Sequence, residues 1–197
     1  MLSLTVPLVL ASASPRRRHL LSTLGLSPTV RPTDADETWP QDAEPGDGVE
    51  QLAARKAALA DDQVDAQTGL VLAADTIVVL DGEILGKPRD AAHARDTLGR
   101  LSGRRHTVYT GFSMRYQGRR ATDHRATEVQ FAPLRPDEID RYVATGSPLD
   151  KAGAYGIQDD LGALLVERID GDYTNVVGLP LRAVYEMLRD LFADLLV

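Results

Sequence analysis

Between Leu70 and Leu80 the chain reads Leu-Val-Leu-Ala-Ala-Asp-Thr-Ile-Val-Val-Leu, apolar throughout except at Asp75 and Thr76. An amphipathic helix or a half-exposed strand would show polar residues at regular intervals. A continuous apolar run reads instead as a strand buried on both faces, which places it inside an α/β sheet. The carboxylate in its middle is the problem such a fold must solve. A buried, unpaired Asp75 costs several kcal/mol or takes up a proton. It must therefore face a partner, a metal or a cleft: a core Arg or Lys in a structural ion pair is the plainer reading, a catalytic metal held in a central strand the functional one.

The remaining periodicity supplies the other elements of one domain spanning residues 1–197. A strand over Leu8–Ser12 leads into a helix over Pro15–Leu24, which Gly25 stops. An extended piece at Thr29–Thr33 precedes a loose acidic stretch from Thr38 to Gly48. The next helix spans Val49–Ala60. Asp81-Gly82 is a hairpin turn with Glu83–Lys87 as its return arm. A helix over Ala91–Leu101 carries the stripe Ala91, Ala94, Leu98 and Leu101. Val108–Tyr116 and Thr127–Phe131 alternate as antiparallel strands, and the helix opening at Pro136 buries Ile139, Tyr142 and Val143. Gly146 to Gly156 form a glycine-rich loop before a strand over Ala163–Ile169. The last helix starts at Pro180 and places Leu181, Val184, Tyr185, Leu188, Leu191, Phe192 and Leu195 on one face. Helices with both strand types predict an α/β fold: a mixed sheet with flanking helices.

Composition narrows the function classes. The net charge of −7 counts against nucleic acid and anionic membrane as partners, as does an aromatic content of only 5%. The absence of cysteine removes disulfides, thiolate metal sites and cysteine nucleophiles. Met1 to Pro7 lack a basic n-region, and the following apolar run is cut by Arg16, Arg17 and Arg18. Neither a signal peptide nor a membrane span is predicted, and a cytoplasmic location is the expectation.

Ser12-Ala13-Ser14-Pro15-Arg16-Arg17-Arg18 reads as strand, tight turn and helix start. Ser14 is a good N-cap and Pro15 suits the first helical position. Three arginines then stand at the positive end of a helix dipole, each mismatch costing ~0.3–1 kcal/mol. An anion bound there reverses that penalty, because free N–H groups, the Ser12 and Ser14 hydroxyls and guanidinium forks converge on it. Three solvated arginines are the plainer alternative.

Further residues carry chemistry on similar terms. Lys56 lies within the apolar stripe of its helix (Val49, Leu52, Ala53, Leu59, Ala60), so it either snorkels to water or aims its ammonium at an anion. Asp36 and Glu37 offer oxygen ligands for a hard divalent cation, or are solvated loop acids. His19, His93, His106 and His124 show no ligand spacing, which argues against a His-based zinc site. Gly82 to Pro88 falls one residue short of a P-loop, with Pro88 where Ser or Thr is needed, yet Lys87 can reach a phosphate from its strand end. Gln158, after the run Asp150 to Ile157, offers an amide donor and acceptor suited to a base edge. The neighbouring glycines allow close backbone approach, or simply form a surface loop.

Taken in order, several segments resemble the Maf family of nucleoside triphosphate pyrophosphatases. They are Ser12 to Arg17, Asp36-Glu37, Lys56-Ala57, Ala74-Asp75-Thr76, Gly86-Lys87-Pro88, Ser102-Gly103, Tyr109-Thr110-Gly111, Asp150 to Gln158 and Asn175 to Pro180. The resemblance runs from about Leu8 into the last helix. It implies two lobes around a deep cleft, as in the related inosine triphosphate pyrophosphatases. It also implies a divalent metal, Mg²⁺ or Mn²⁺, cleavage to monophosphate and pyrophosphate, and a homodimer. By position, Asp75 matches the family's proton acceptor, and Arg16, Thr76 and Gln158 match the three positions that separate its subgroups. Arg, Thr and Gln there look like the dTTP- and UTP-cleaving subgroup, whereas the 7-methyl-GTP subgroup typically has Trp, Gln and Glu. The chain departs from the family pattern at Asp172, where Ser is commoner, and at Arg105-His106.

The expected mechanism follows. Arg16, Arg17, Lys56 and Lys87 hold the triphosphate with Ser12 and Ser14, while Asp75 and Glu37 hold the metal and activate water. The rival expectation is a module regulating cell division that binds a nucleotide or phosphoprotein without turnover. Only the enzyme needs the acids to face the basic cradle.

Overall fold

The computed structural model describes residues 1–63 and 69–197. In chain order the elements are β1 (Leu8–Leu10), α1 (Pro15–Thr23), β2 (Thr29–Val30), α2 (Pro45–Gln63), β3 (Leu70–Leu80) and β4 (Glu83–Leu85). They continue with α3 (Ala91–Leu101), β5 (Arg105–Tyr116), β6 (Arg119–Phe131), α4 (Pro136–Ala144), β7 (Val166–Asp170), α5 (Tyr173–Val177) and α6 (Leu181–Leu191). The strands are hydrogen-bonded in the order β2-β1-β3-β5-β6-β7, with β4 on β3. β1 pairs in parallel with β2 and β3. β4 runs antiparallel to β3, and β7 antiparallel to β6. The sheet is mixed, and the fold is the α/β class that the periodicity predicts. β3 is internal and buried along its length except at Asp75 and Thr76, which are half-buried.

The chain divides into two compact units. Unit 1 comprises Met1–Asp75, Thr110–Arg125 and Gly178–Val197; unit 2 comprises Thr76–Tyr109 and Ala126–Val177. In unit 1, α2 lies against β1 and β3 through small side chains, with Val9, Ala11, Ala57, Ala60, Val71 and Ala73 forming one buried cluster. Close approach is enforced at Gly111, where an added Cβ would lie 2.4 Å from the Val49 carbonyl carbon. A helix seated on alanines cannot rotate without opening cavities, so which α2 residues face the sheet is set.

Unit 2 packs α3 on α4 with Leu98, Leu101, Ile139, Tyr142 and Val143 buried. His106, Phe131 and Tyr155 form an edge-to-face trio with ring centroids 4.7–5.4 Å apart. His106 Nε2 meets the Tyr155 hydroxyl at 2.8 Å. Asn175 is fully buried and donates from Nδ2 to the Val108 carbonyl and the Thr127 hydroxyl, each at 3.0 Å. The Asp172 carboxylate accepts from Thr174 N at 2.7 Å and so caps α5. Aspartate caps a helix as well as serine does, which accounts for that departure from the family pattern.

Several boundaries differ from the sequence reading, each for a local reason. β1 ends at Leu10: Ala11 N still donates to the Leu72 carbonyl, but Ser12 Oγ then accepts from Ser14 N and turns the chain. α2 begins at Pro45, inside the stretch expected to be loose. Its Gly46 and Gly48 leave room for the rings of His124 and Trp39, which a Cβ would strike. Ala57 rather than Leu59 faces the core. β6 starts at Arg119, because a turn with positive φ at Gln117 and Gly118 returns the chain straight from β5. Gly162–Leu164 form a 3₁₀ turn, which delays β7 to Val166. In α3 Ala91 is exposed, while Thr97 is buried with its hydroxyl donating to the His93 carbonyl. α6 buries Ala183, Val184, Met187 and Leu188 and leaves Leu191 exposed.

The His106 pair makes stability pH-dependent. Burial pushes the His106 pKa down to about 4 from its ordinary 6.5. The unfolded chain therefore takes up a proton below pH 6.5 that the folded protein refuses until about pH 4. Stability is lost as pH falls through that window, by about 3 kcal/mol at pH 4. Urea unfolding at pH 7 and pH 4 should show His106→Gln losing about 3 kcal/mol less than wild type between the two; equal losses would mean His106 is charged in the fold.

Candidate functional site

The start of α1 is built as the sequence predicts. Ser14 is extended (φ −65°, ψ 115°), Pro15 follows it, and the Ser14 hydroxyl accepts from Arg17 N at 3.5 Å. The three arginines are not equivalent. Arg17 Nη1 donates to Ser12 Oγ at 3.0 Å and its Nε to the Gly178 carbonyl at 2.8 Å. Arg16 is half-buried and Arg18 exposed. Burial lowers the Arg17 pKa, and the neighbouring charge of Arg16 acts in the same direction, while Asp75 and Glu37 oppose both. A guanidinium anchored at two points in a field shared with two carboxylates is pre-organised for an anion.

Lys56 resolves the alternatives at its position. Its ammonium does not snorkel: the side chain is 12% exposed and sits 2.5 Å from Asp75 Oδ1 and 2.6 Å from Glu37 Oε1. The seating of α2 on Ala57 and Ala60 directs the preceding residue to the polar gap in β3. Glu37 arrives from the loop before α2, whose Thr38 carbonyl accepts from Arg55 Nη1 at 2.9 Å. The ion pair with Lys56 compensates the Asp75 carboxylate inside the strand.

Asp36 is not part of this cluster. It is exposed, and its Oδ1 accepts from Thr38 N at 2.9 Å; the Thr38 hydrogen bonds hold its pKa below the usual carboxylate value. The residues that do converge fit a divalent cation. Two carboxylate oxygens from different elements already meet on one positive charge, and hard ions such as Mg²⁺ and Mn²⁺ prefer oxygen donors.

A second acidic group escaped the sequence reading. Glu50, Asp123 and His124 each place one potential ligand atom within 4.8 Å of the others. His124 Nδ1 meets Glu50 Oε1 at 2.6 Å across 74 positions, so no spacing signal exists in the sequence. Arg125 competes there for any cation, since its Nη1 donates to Asp123 Oδ2 at 2.6 Å.

Thr76, Lys87 and Gln158 belong to unit 2. Thr76 is half-buried, and Lys87 is exposed just beyond β4. Gln158 Nε2 donates to Asp159 Oδ1 at 2.7 Å. Its Oε1 is shut off from solvent with no donor among the described residues. Such an unmet acceptor costs about 1–3 kcal/mol. Asp159 is held in turn by Tyr142 and Ser147, whose hydroxyls donate to Oδ2 at 2.8 and 2.5 Å. The Lys151 ammonium stands 3.3 Å from the same oxygen. Among the described residues no helix is long and apolar enough to cross a membrane.

Residues 7–191 match the family model described as "Maf: Maf-like protein". A dTTP/UTP pyrophosphatase of Salinibacter ruber is 52% identical over 198 residues, covering 100% of this chain and 96% of the relative. One of Moorella thermoacetica is 55% identical, covering 95% and 96%. The Staphylococcus aureus Ham1 protein superposes with a TM-score of 0.47 at 18% identity, over 64% of this chain and 72% of that one.

Replacing Lys56 by Met leaves Asp75 without its cation. A fully buried pair broken in this way costs ~3–5 kcal/mol. About 2–3 kcal/mol is expected here, because the Glu37 arm is 63% exposed and screened by water. The melting temperature should fall by about 5–10 °C, and millimolar Mn²⁺ should recover part of the loss in Lys56→Met. A variant that melts like wild type, or that metal leaves unchanged, would contradict this geometry.

Proposed function

The chain belongs to the Maf-like protein family, and on that footing we propose that it hydrolyses nucleoside triphosphates, dTTP and UTP by preference, to the nucleoside monophosphate and pyrophosphate. The observation that carries the reading is the convergence of Asp75, Glu37 and Lys56 in the electrostatic field of Arg17. An anion cradle alone serves a binding module as well as an enzyme. Carboxylates in the same field as the cradle serve water activation and metal binding, and they repel a phosphate unless a cation mediates.

In this mechanism Arg16 and Arg17, with the Ser12 and Ser14 hydroxyls, hold phosphate oxygens at the start of α1. The anchoring of Arg17 to Ser12 and Gly178 means that little side-chain freedom is lost on binding. Asp75 accepts a proton from water as the water oxygen bonds to the α-phosphorus. The bond from that phosphorus to its bridging oxygen breaks, and pyrophosphate leaves. Asp75 and Glu37 would hold a divalent cation, which when bound would supply a lowered water pKa and offset phosphate charge. Lys56, whose ammonium stands between Asp75 and Glu37, offers its charge to the triphosphate. Lys87 is assigned to the phosphates, and Arg16, Thr76 and Gln158 to substrate choice, from their match to the family positions. The same reading has the protein act as a cytoplasmic homodimer.

Pyrophosphate release from dTTP, UTP, CTP, ATP, GTP and 7-methyl-GTP, with Mg²⁺ and with Mn²⁺, tests the proposal. dTTP and UTP should give the highest kcat/KM. Asp75→Asn should lower kcat by ~10²–10⁴-fold while the folded variant still binds nucleotide. Metal-dependent release from no nucleotide would instead leave a binding module that acts without turnover.

A further inference from the structure

Beside the strip that seats it on β1 and β3, α2 carries Gln51, Ala54, Arg55 and Ala58 at helical spacing. Together with Ser113 and Arg115 of β5 and Arg120 and Thr122 of β6 they line a hollow of about 350 Å³, and all of these residues belong to unit 1. A helix over a sheet normally fills such a space with large apolar side chains. Here the helix offers alanines and the strands offer polar groups, and the space stays open. Its volume falls at the low end of the ~300–1,000 Å³ of small-molecule sites. Lys56, Glu37 and Asp75 are not among the lining residues.

The hollow concentrates positive charge in a chain whose net charge is −7. Arg55 is anchored, with Nη1 donating to the Thr38 carbonyl at 2.9 Å. Arg115 faces one carboxylate among the described residues, that of Asp61, 3.4 Å from its Nε. The Arg120 side chain has no hydrogen-bond or ion-pair partner among the described residues. The hairpin sharpens the conflict. Its turn is two residues long, Gln117 and Gly118, so Arg115 stands directly opposite Arg120, and Ser113 opposite Thr122. The Thr122 hydroxyl accordingly donates to Ser113 Oγ at 2.9 Å. Like charges directly opposite on paired strands destabilise a sheet. An anion between them removes that penalty, and guanidinium forks match pairs of phosphate oxygens.

We propose that this hollow is a second anion site, which binds the phosphate group of a small molecule on Arg55, Arg115 and Arg120. Three guanidiniums against the single carboxylate of Asp61 leave two positive charges, the complement of a phosphate dianion. The Gln51 amide adds a donor, and Ala54 and Ala58 give the rest of the ligand an apolar floor. Ser113 and Thr122 tie the strands together instead of donating to the anion, since their hydroxyl protons go to the Ala121 carbonyl and to Ser113 Oγ. The proposal does not depend on turnover at the Lys56 cluster.

Amide NMR of the full-length protein in EDTA tests it with three probes: inorganic phosphate, pyrophosphate and dTMP. At least one should shift the Arg115, Arg120 and Thr122 amides saturably, with a Kd below about 1 mM, whereas sodium chloride at equal ionic strength should not. Saturation by inorganic phosphate assigns free phosphate as the ligand; saturation only by pyrophosphate or dTMP assigns a phosphorylated molecule. Arg120→Gln should weaken this binding about tenfold and leave any shifts at Arg16 and Arg17 as they are in wild type. In Arg120→Glu the introduced carboxylate meets Arg115 across the strands. Binding should then vanish, and the ligand-free variant should melt at or above the wild-type temperature. Shifts no larger than those of sodium chloride for every probe would overturn the proposal. So would an Arg120→Gln that binds like wild type, or one that loses the α1 shifts in the same proportion. A lowered melting temperature in Arg120→Glu would overturn it too, since the two arginines would then not be in conflict.

Discussion

A carboxylate in the middle of a buried strand must be compensated, and the Lys56–Asp75 contact at 2.5 Å does it. Much of unit 1 can be traced to that requirement. For Lys56 to reach Asp75, α2 must lie close to the sheet, and it does so on Ala57 and Ala60 against Val9 and Val71. For the helix to come so near, β5 carries Gly111 under the Val49 backbone. Larger residues at these positions would lift the helix and strand the charge. The pair thereby brings two acids and one cation into a single cluster.

Unit 2 handles buried polarity differently. Asn175 Nδ2 spans the Val108 carbonyl and the Thr127 hydroxyl, and His106 is kept neutral against Tyr155, although its Nδ1 meets no partner among the described residues. Four side chains, Tyr142, Ser147, Lys151 and Asp159, together fix the donor end of the Gln158 amide while its acceptor end has no donor among the described residues.

Where the sequence pattern is strong the elements fall as read. The uninterrupted run of β3, the Ser14-Pro15 start of α1, the Asp81-Gly82 turn and the Ile139, Tyr142, Val143 face of α4 are local signals backed by burial. The misreadings have a common cause. Gly46 and Gly48 look like loop formers, yet they sit in α2 because the His124 and Trp39 rings need their space. The polar first half of β6 shows no alternation, yet the turn at Gln117 and Gly118 commits it to the sheet. In both cases a contact distant in sequence overrides the local preference.

For this protein the sequence by itself determined that an acid would be buried in a central strand, that a helix start would carry clustered positive charge, and that Gln158 would follow a glycine-rich loop. These are statements about residue type and nearest neighbours along the chain, and local chemistry suffices for them. Only the tertiary structure decided that Lys56, rather than a solvated or snorkelling lysine, answers Asp75, and that Glu37 joins it while Asp36 turns away. It alone showed Arg17 anchored to Ser12 and Gly178, and showed which end of the Gln158 amide is taken. Each of those outcomes depends on an angle or a distance between elements, and those are set by how α2 and the Gly156–Gly162 loop pack rather than by any residue's own preference.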